Sequence, residues 1–574
     1  MRTSKAAVLV LLCITLTVSS LAAGFAPVHA PKAMVASVHE EASKAGADIM
    51  RQGGNAVDAA VAIGFALAVV HPAAGNLGGG GFLLLRKANG EVFFLDFREK
   101  APSGASANMY LDAQGNVIPD ASLLGYKAAA VPGSVAGLVY AQKKWGRLPL
   151  ARVMRAALRL ARDGVVLTYE EAHLLRDEEL ARFPESRRIF QRDGRFYEPG
   201  EVFRQPELAR TLERIAQNPD EFYRGAMARE IAAAVQSGGG LITAEDLAAY
   251  TVVERAPIRG TYRGHEVISA PPPSSGGTSL VEALNILEGY DLRGLGARSA
   301  QTMHLVAEAY RRAFFDRAEF LGDPDFAQIP VAQLTDKKYA AAWRESINPD
   351  RASESRSLQR PAFGNLDRLA EVRHAYVGPE PENTTHYSVV DPEGNAVAVT
   401  TTLNDSFGAR VTVPGLGFLM NNEMDDFVSK PGTPNMYGLI EGPANAIAPG
   451  KRPLSAMTPT IVTRDGRLML VLGSPGGPTI ITTVLNVLIH VVDFGADIQR
   501  AVNAPRFHHQ WMPDTLRIEE WQTSPDTARL LERMGHKLDR RSSWGDAECI
   551  AIDGKTGERL GASDARNNGR AVGF

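Results

Sequence analysis

A threonine hydroxyl attacks a carbonyl only when a neighbouring base takes its proton, and Thr384 stands where the chain could supply one. It belongs to the run Asn383-Thr384-Thr385-His386-Tyr387-Ser388-Val389-Val390. By composition alone that run is an ordinary strand with a threonine-rich start. Three surroundings change its reading. The stretch before it, residues 348–382, is polar and irregular, an exposed loop that can be cut or can move. Asp391-Pro392-Glu393-Gly394-Asn395 after it is a hairpin turn, and a pairing centred on Glu393 puts position 384 opposite 402, within a residue of slip. Gly473-Ser474-Pro475-Gly476-Gly477 ends one apolar run and opens another, so its backbone N–H groups face whatever lies in front of it. Were the Asn383–Thr384 peptide bond cut, the free α-amine of Thr384 would be the missing base. The same hydroxyl can make that cut, attacking the Asn383 carbonyl to give an ester that water opens.

The elements that must position these groups follow from pattern. Residues 37–70 read as two helices interrupted at Gly53-Gly54-Asn55, and 57–70 is so apolar that the second helix is expected to be buried. Four glycines, Gly78 to Gly81, precede strand-like runs at 82–85 and 92–97. No Gly-Lys-Ser/Thr follows them, so they read as a tight backbone crossing beside a pocket and not as a phosphate loop. Helical patterns fill the middle at 151–162, 208–215, 227–236 and 302–317, with a rigid turn at 271–277. Beyond the loop at 348–382, strands at 384–390 and 396–402 flank the hairpin turn, 468–472 reads as a buried strand and 479–492 as an apolar helix. Helices, then strands, then strands with helices predict an α/β fold of four layers, αββα.

Bulk properties narrow the partners. The 574 residues are 45 % hydrophobic and 22 % charged, ordinary for a globular protein. A net charge of -3 gives no electrostatic reason to expect nucleic acid, so a small polar substrate is the default. Arg2 and Lys5 precede the apolar run 6–18, and small residues follow, the pattern of an export signal in residues 1–23, with cleavage between 23 and 30. That run is too short for stable membrane insertion. Cys549 is then the one cysteine left, which excludes an internal disulfide and suits a bacterial periplasm or medium. His508-His509 lacks further ligands and there is no H-E-x-x-H, so neither metal nor cofactor is called for.

Thr384 to Asp391 closely resembles the maturation and nucleophile motif of the γ-glutamyltransferase family, a branch of the N-terminal-nucleophile hydrolases. The resemblance continues through Asn76 to Phe82, Leu95 to Glu99, Thr402-Leu403-Asn404, Asn421 to Phe427, Lys451 to Ser455, Gly473 to Gly477, Asn503 to His508 and Ala562-Ser563-Asp564. It implies a precursor that cuts itself into a large subunit, 24–383, and a small subunit, 384–574, beginning with the nucleophile. It implies γ-glutamyl donors such as glutathione, with water, amino acids or peptides as acceptors. Arg98 would then meet the donor's α-carboxylate as a planar fork, with Ser455 adding a hydroxyl. Asn404, Glu423 and Asp426 would hold its ammonium, Gly476 and Gly477 the oxyanion, and Thr402 the Thr384 hydroxyl. Tyr437, in the Gly/Pro-rich stretch 431–445, would close over the bound group as a lid. Arg506 and Arg566 read as structural arginines and His386 as a core histidine, since the α-amine already fills the base role. One departure stands out: most of the family has two adjacent serines where this chain has Ser455-Ala456. The alternatives are a cephalosporin or glutaryl acylase of the same superfamily, whose substrate side chain carries a carboxylate but need not carry the ammonium, and an inactive binding relative.

Overall fold

The computed structural model describes residues 26–363, 384–430 and 432–574. Asn383, Pro431 and the amino-terminal segment read as a signal lie outside the described residues. Two seven-stranded sheets, antiparallel throughout, form the centre. One runs Arg570–Gly573, Met34–Ser37, Thr385–Val390, Ala396–Thr402, Gly80–Arg86, Val92–Phe97, Val253–Arg255. The other runs Val28–Ala30, Arg559–Ala562, Cys549–Ile552, Arg467–Leu472, Thr460–Arg464, His265–Ser269, Ile258–Tyr262. Each sheet therefore mixes strands from before and after Thr384.

Period-two alternation sorts the first sheet's side chains into two cores. Tyr387, Val389, Val397, Val399, Leu83 and Leu85 pack with the helices Glu40–Arg51 and Ala56–Val70. Val390, Ala396, Ala398, Phe82 and Leu84 face the second sheet, whose other face carries the helices Gly276–Leu287, Ala300–Phe320 and Thr479–Val492. The fold is a four-layer αββα sandwich. Helix Ala56–Val70 is buried along its whole length, which explains its unbroken apolar run, and Asn55 and Asp58 close its start as a capping box. Ala56 N–H also donates to Asp391 Oδ2 at 3.0 Å, tying the hairpin turn to that helix start.

The glycine run 78–81 is a close crossing. A Cβ at Gly78, Gly79 or Gly81 would collide with the carbonyl of Leu419, Thr402 or Thr400 respectively. Three expectations change. The helix expected at 151–162 is two, Leu150–Val153 and Arg155–Asp163, meeting at Met154. The last two residues of the turn at 271–277 open helix Gly276–Leu287 instead, packed so closely that a side chain at either would strike the carbonyl of Met457 or Ala270. Residues 348–363, expected as the start of an exposed loop, are held to the body. Ala352 N–H donates to Met534 O at 2.7 Å, and Arg360 pairs with Asp316 and Glu319, both at 2.6 Å.

Candidate active site

Hairpin pairing aligns Thr385 with Thr401 and His386 with Thr400, so the register is centred on Glu393 and Thr384 faces Thr402. Their hydroxyl oxygens lie 3.2 Å apart, and Asn404 N–H donates to Thr402 Oγ1 at 2.9 Å. Asn404 holds a positive φ of 80°, a left-handed turn that brings the chain back beneath the strand end. Both threonines are buried, and Thr384 lines a small cavity. Thr402, Arg98, Asn404, Glu423, Asp426, Tyr437, Ser455, Ala456 and Gly477 line it too. The structure thus gathers residues from seven separated stretches of sequence. Gly476 is not among the lining residues; it sits one position behind Gly477.

Gly476 and Gly477 have φ of 128° and 52°, open to glycine at low cost, and together turn the chain from strand Arg467–Leu472 toward helix Thr479–Val492. A side chain at Gly477 would press on the Tyr437 ring. Behind this loop, a Cβ at Gly473 would overlap the His386 imidazole. His386 meets Thr400 Oγ1 at 2.9 Å and Ser388 Oγ at 3.1 Å, and burial lowers it to about 3, so it is a neutral core group. Arg506 pairs with Asp564, and Arg566 with Glu519 at 2.7 Å, both away from the cavity lining.

The charged wall is compact. Arg98, 1 % exposed, pairs with Glu423 and, at 2.5 Å, with Asp426, while Glu99 lies 3.6 Å away. Burial works against the guanidinium charge, and these carboxylates more than restore it, so its pKa is raised. Burial likewise raises Glu423, and it raises Glu99 to about 7 against the pull of Arg98. Apart from its ion pair, neither buried oxygen of Glu423 has a hydrogen-bond donor among the described residues. Asp425, beside Asp426, turns the other way: it accepts from Ser122 Oγ at 2.6 Å and from Met436 N–H at 3.1 Å.

The stretch 432–445 covers the cavity. Tyr437 is buried, and its hydroxyl donates to Asn404 O at 2.8 Å and Asn404 Oδ1 at 2.9 Å. Gln510 Nε2 holds the Tyr437 carbonyl at 3.0 Å. Ser455 is pinned by Pro273 O, which accepts its N–H at 2.9 Å, and its Oγ accepts from Met457 N–H at 3.1 Å. Ala456 presents only a methyl group. Sequence reasoning missed Arg317, Leu439, Leu454, Met457, Pro478 and Ile480, which also line the cavity. Glu99 lay in a quoted motif without being singled out. For Arg317 the sequence offered no local signal, since the same helix carries Arg311 and Arg312.

Two stacked sheets between helical layers, with a threonine leading a central strand and a glycine turn beside it, define an N-terminal-nucleophile hydrolase. The model of the gamma-glutamyltranspeptidase family matches residues 42–574, and the chain belongs to that family. It is 50 % identical over 548 residues to the glutathione hydrolase proenzyme of Escherichia coli (strain K12), covering 95 % of this chain and 92 % of that one. Among solved structures, cephalosporin acylase from Bacillus halodurans superposes with a TM-score of 0.83 at 28 % identity, covering 97 % of this chain and 98 % of its own. Helicobacter pylori gamma-glutamyltranspeptidase gives 0.56 at 45 % identity, covering 58 % of this chain and 96 % of that solved chain.

Proposed function

We propose that this protein is a self-cleaving γ-glutamyltransferase that moves the γ-glutamyl group of glutathione, or a related donor, to water, amino acids or peptides. In maturation the Thr384 hydroxyl attacks the Asn383 carbonyl, the peptide C–N bond breaks, and the leaving nitrogen takes up the hydroxyl proton to become the new α-amine. Water then hydrolyses the ester, leaving large and small subunits 24–383 and 384–574. In catalysis that amine takes the hydroxyl proton as Oγ bonds to the donor's γ-carbonyl carbon. The backbone at Gly476 and Gly477 faces the oxyanion, and Thr402 orients the nucleophile. The donor's C–N bond breaks and its amine leaves with the proton. Water or an acceptor amine then attacks the Thr384 ester, giving glutamate or a new γ-glutamyl amide.

One observation carries this reading: a hydroxyl, a guanidinium and two carboxylates share one small cavity. Arg98 and Ser455 suit an α-carboxylate, and Asn404, Glu423 and Asp426 suit an α-ammonium. Tyr437 closes over both. The cephalosporin acylase likeness favours a second reading, in which the acyl group carries a carboxylate without an ammonium. Asn404, Glu423 and Asp426, gathered on one wall of the cavity, argue for the amino acid, because an ammonium needs acceptors and negative charge. The amino-terminal charge and apolar pattern supports export; no helix among the described residues is long and apolar enough to cross a membrane. The test is release of product from a γ-glutamyl anilide, with and without a dipeptide acceptor, beside a glutaryl anilide. Turnover of the glutaryl compound alone would replace this reading by the acylase.

A further inference from the structure

Arg98 is not the only guanidinium on the cavity. Arg317, from helix Ala300–Phe320, lines it as well and is 2 % exposed. Its Nε donates to Ser275 Oγ at 2.9 Å, and Ser275 Oγ donates in turn to Ser455 O at 2.6 Å. Its Nη1 donates to Glu441 Oε1 at 2.7 Å, which leaves Nη2 without a partner among the described residues. Arg98 reaches the same segment directly, donating to Pro453 O at 3.3 Å and Leu454 O at 3.4 Å. Two arginines therefore flank residues 453–456, where Ala456 offers no side-chain donor. Arg98 is already engaged by Glu423 and Asp426. Arg98 divides its donors among these partners, so a carboxylate docking beside it gains from a second buried guanidinium with one open nitrogen.

We propose that Arg317 is a specificity-determining residue that binds the α-carboxylate of the acyl donor, jointly with Arg98. The proposal rests on the γ-glutamyl reading and adds a second cation to it. Glu441, in the covering stretch, aims Arg317 and links carboxylate recognition to closure of the cavity.

Three anilides separate this role from a structural one: γ-glutamyl, glutaryl, which lacks the ammonium, and 4-aminobutyryl, which lacks the carboxylate. Arg317→Gln is expected to raise KM for the γ-glutamyl compound roughly ten- to a hundredfold, the loss of one charge-assisted contact. Its kcat should change little, and its kcat/KM for the 4-aminobutyryl compound should equal that of the wild type. An equal loss on all three substrates would make Arg317 a strut of the fold and overturn the proposal. If Arg317→Gln fails to mature, Arg317→Lys takes its place in the same comparison; a substrate-independent loss there overturns the proposal equally. Wild-type protein that ignores the γ-glutamyl compound would instead sink the functional reading, and this proposal with it.

Discussion

Arg98 sits among carboxylates before any substrate arrives, so its fork is already oriented for planar recognition. Arg98→Lys keeps the charge and loses that geometry. It is expected to cost about 1–3 kcal/mol in kcat/KM for a γ-glutamyl anilide, mostly through KM, while maturation proceeds. Unchanged kinetics would remove Arg98 from the site. Thr384→Ala removes one hydroxyl that has two tasks, and should leave a single uncut chain without activity; Thr384→Ser should still be cut, more slowly. Normal cutting of the alanine variant, seen on a denaturing gel, would mean another nucleophile. At Ala456 a hydroxyl can be supplied. Ala456→Ser should lower KM by about tenfold or less, since water already recovers part of a missing donor's effect, and leave kcat nearly unchanged. A raised KM would point to a pocket shaped for a bulkier acyl group, as in an acylase.

Among the elements, the covering stretch adds specific polar contacts to the core packing of Tyr437, Leu439 and Ile440. Asn404 takes the Tyr437 hydroxyl, Gln510 its carbonyl, and Asp425 the Met436 N–H. Burial pushes the Asp425 carboxyl from 3.8 up to about 7. A raised folded value means the group's contribution to stability is complete below the unfolded value and is lost as pH rises through the folded one. Asp425→Asn cannot titrate, so relative to wild type it should gain stability between about pH 4 and about pH 7. The measurement is the difference in melting temperature between the two proteins at each pH. Other titrating groups are common to both and cancel, so a constant difference would show that Asp425 does not titrate there. The glycine loop is held as tightly from behind, by the His386 ring against Gly473, which couples the nucleophile strand to the loop facing it.

For the whole molecule, the sheets explain how a cut chain would stay together. Strand Thr385–Val390 lies between Met34–Ser37 and Ala396–Thr402, and Ala396–Thr402 pairs in turn with Gly80–Arg86. The second sheet crosses the same divide where His265–Ser269 pairs with Thr460–Arg464. Two fragments sharing both sheets cannot part without exposing both cores. The purified protein is therefore expected as two chains, of about 360 and about 190 residues, that co-elute and separate only in denaturant. Amino-terminal sequencing of the smaller should begin Thr-Thr-His-Tyr. An active preparation containing one uncut chain would end the mechanism. Cys549 is buried in the second sheet, so reducing agent should not affect the association.

The sequence by itself determined whatever local chemistry decides. The register of Thr384 on Thr402 followed from a turn centred on Glu393, because strand pairing counts residues outward from the turn. The buried helix Ala56–Val70 and the helix Thr479–Val492 followed from their apolar runs. Tertiary structure alone decided which charged groups share the cavity. Arg311, Arg312 and Arg317 lie on one helix with similar surroundings in sequence, yet only Arg317 lines the site. Its direction is set by packing between helix Ala300–Phe320, Ser275 and Glu441, contacts between distant segments that no local pattern encodes. The same holds for Arg98 between Glu423 and Asp426: their residue types announced complementary charges, but only the packed sheets and the turn at 421–427 made them partners of one another before any substrate binds.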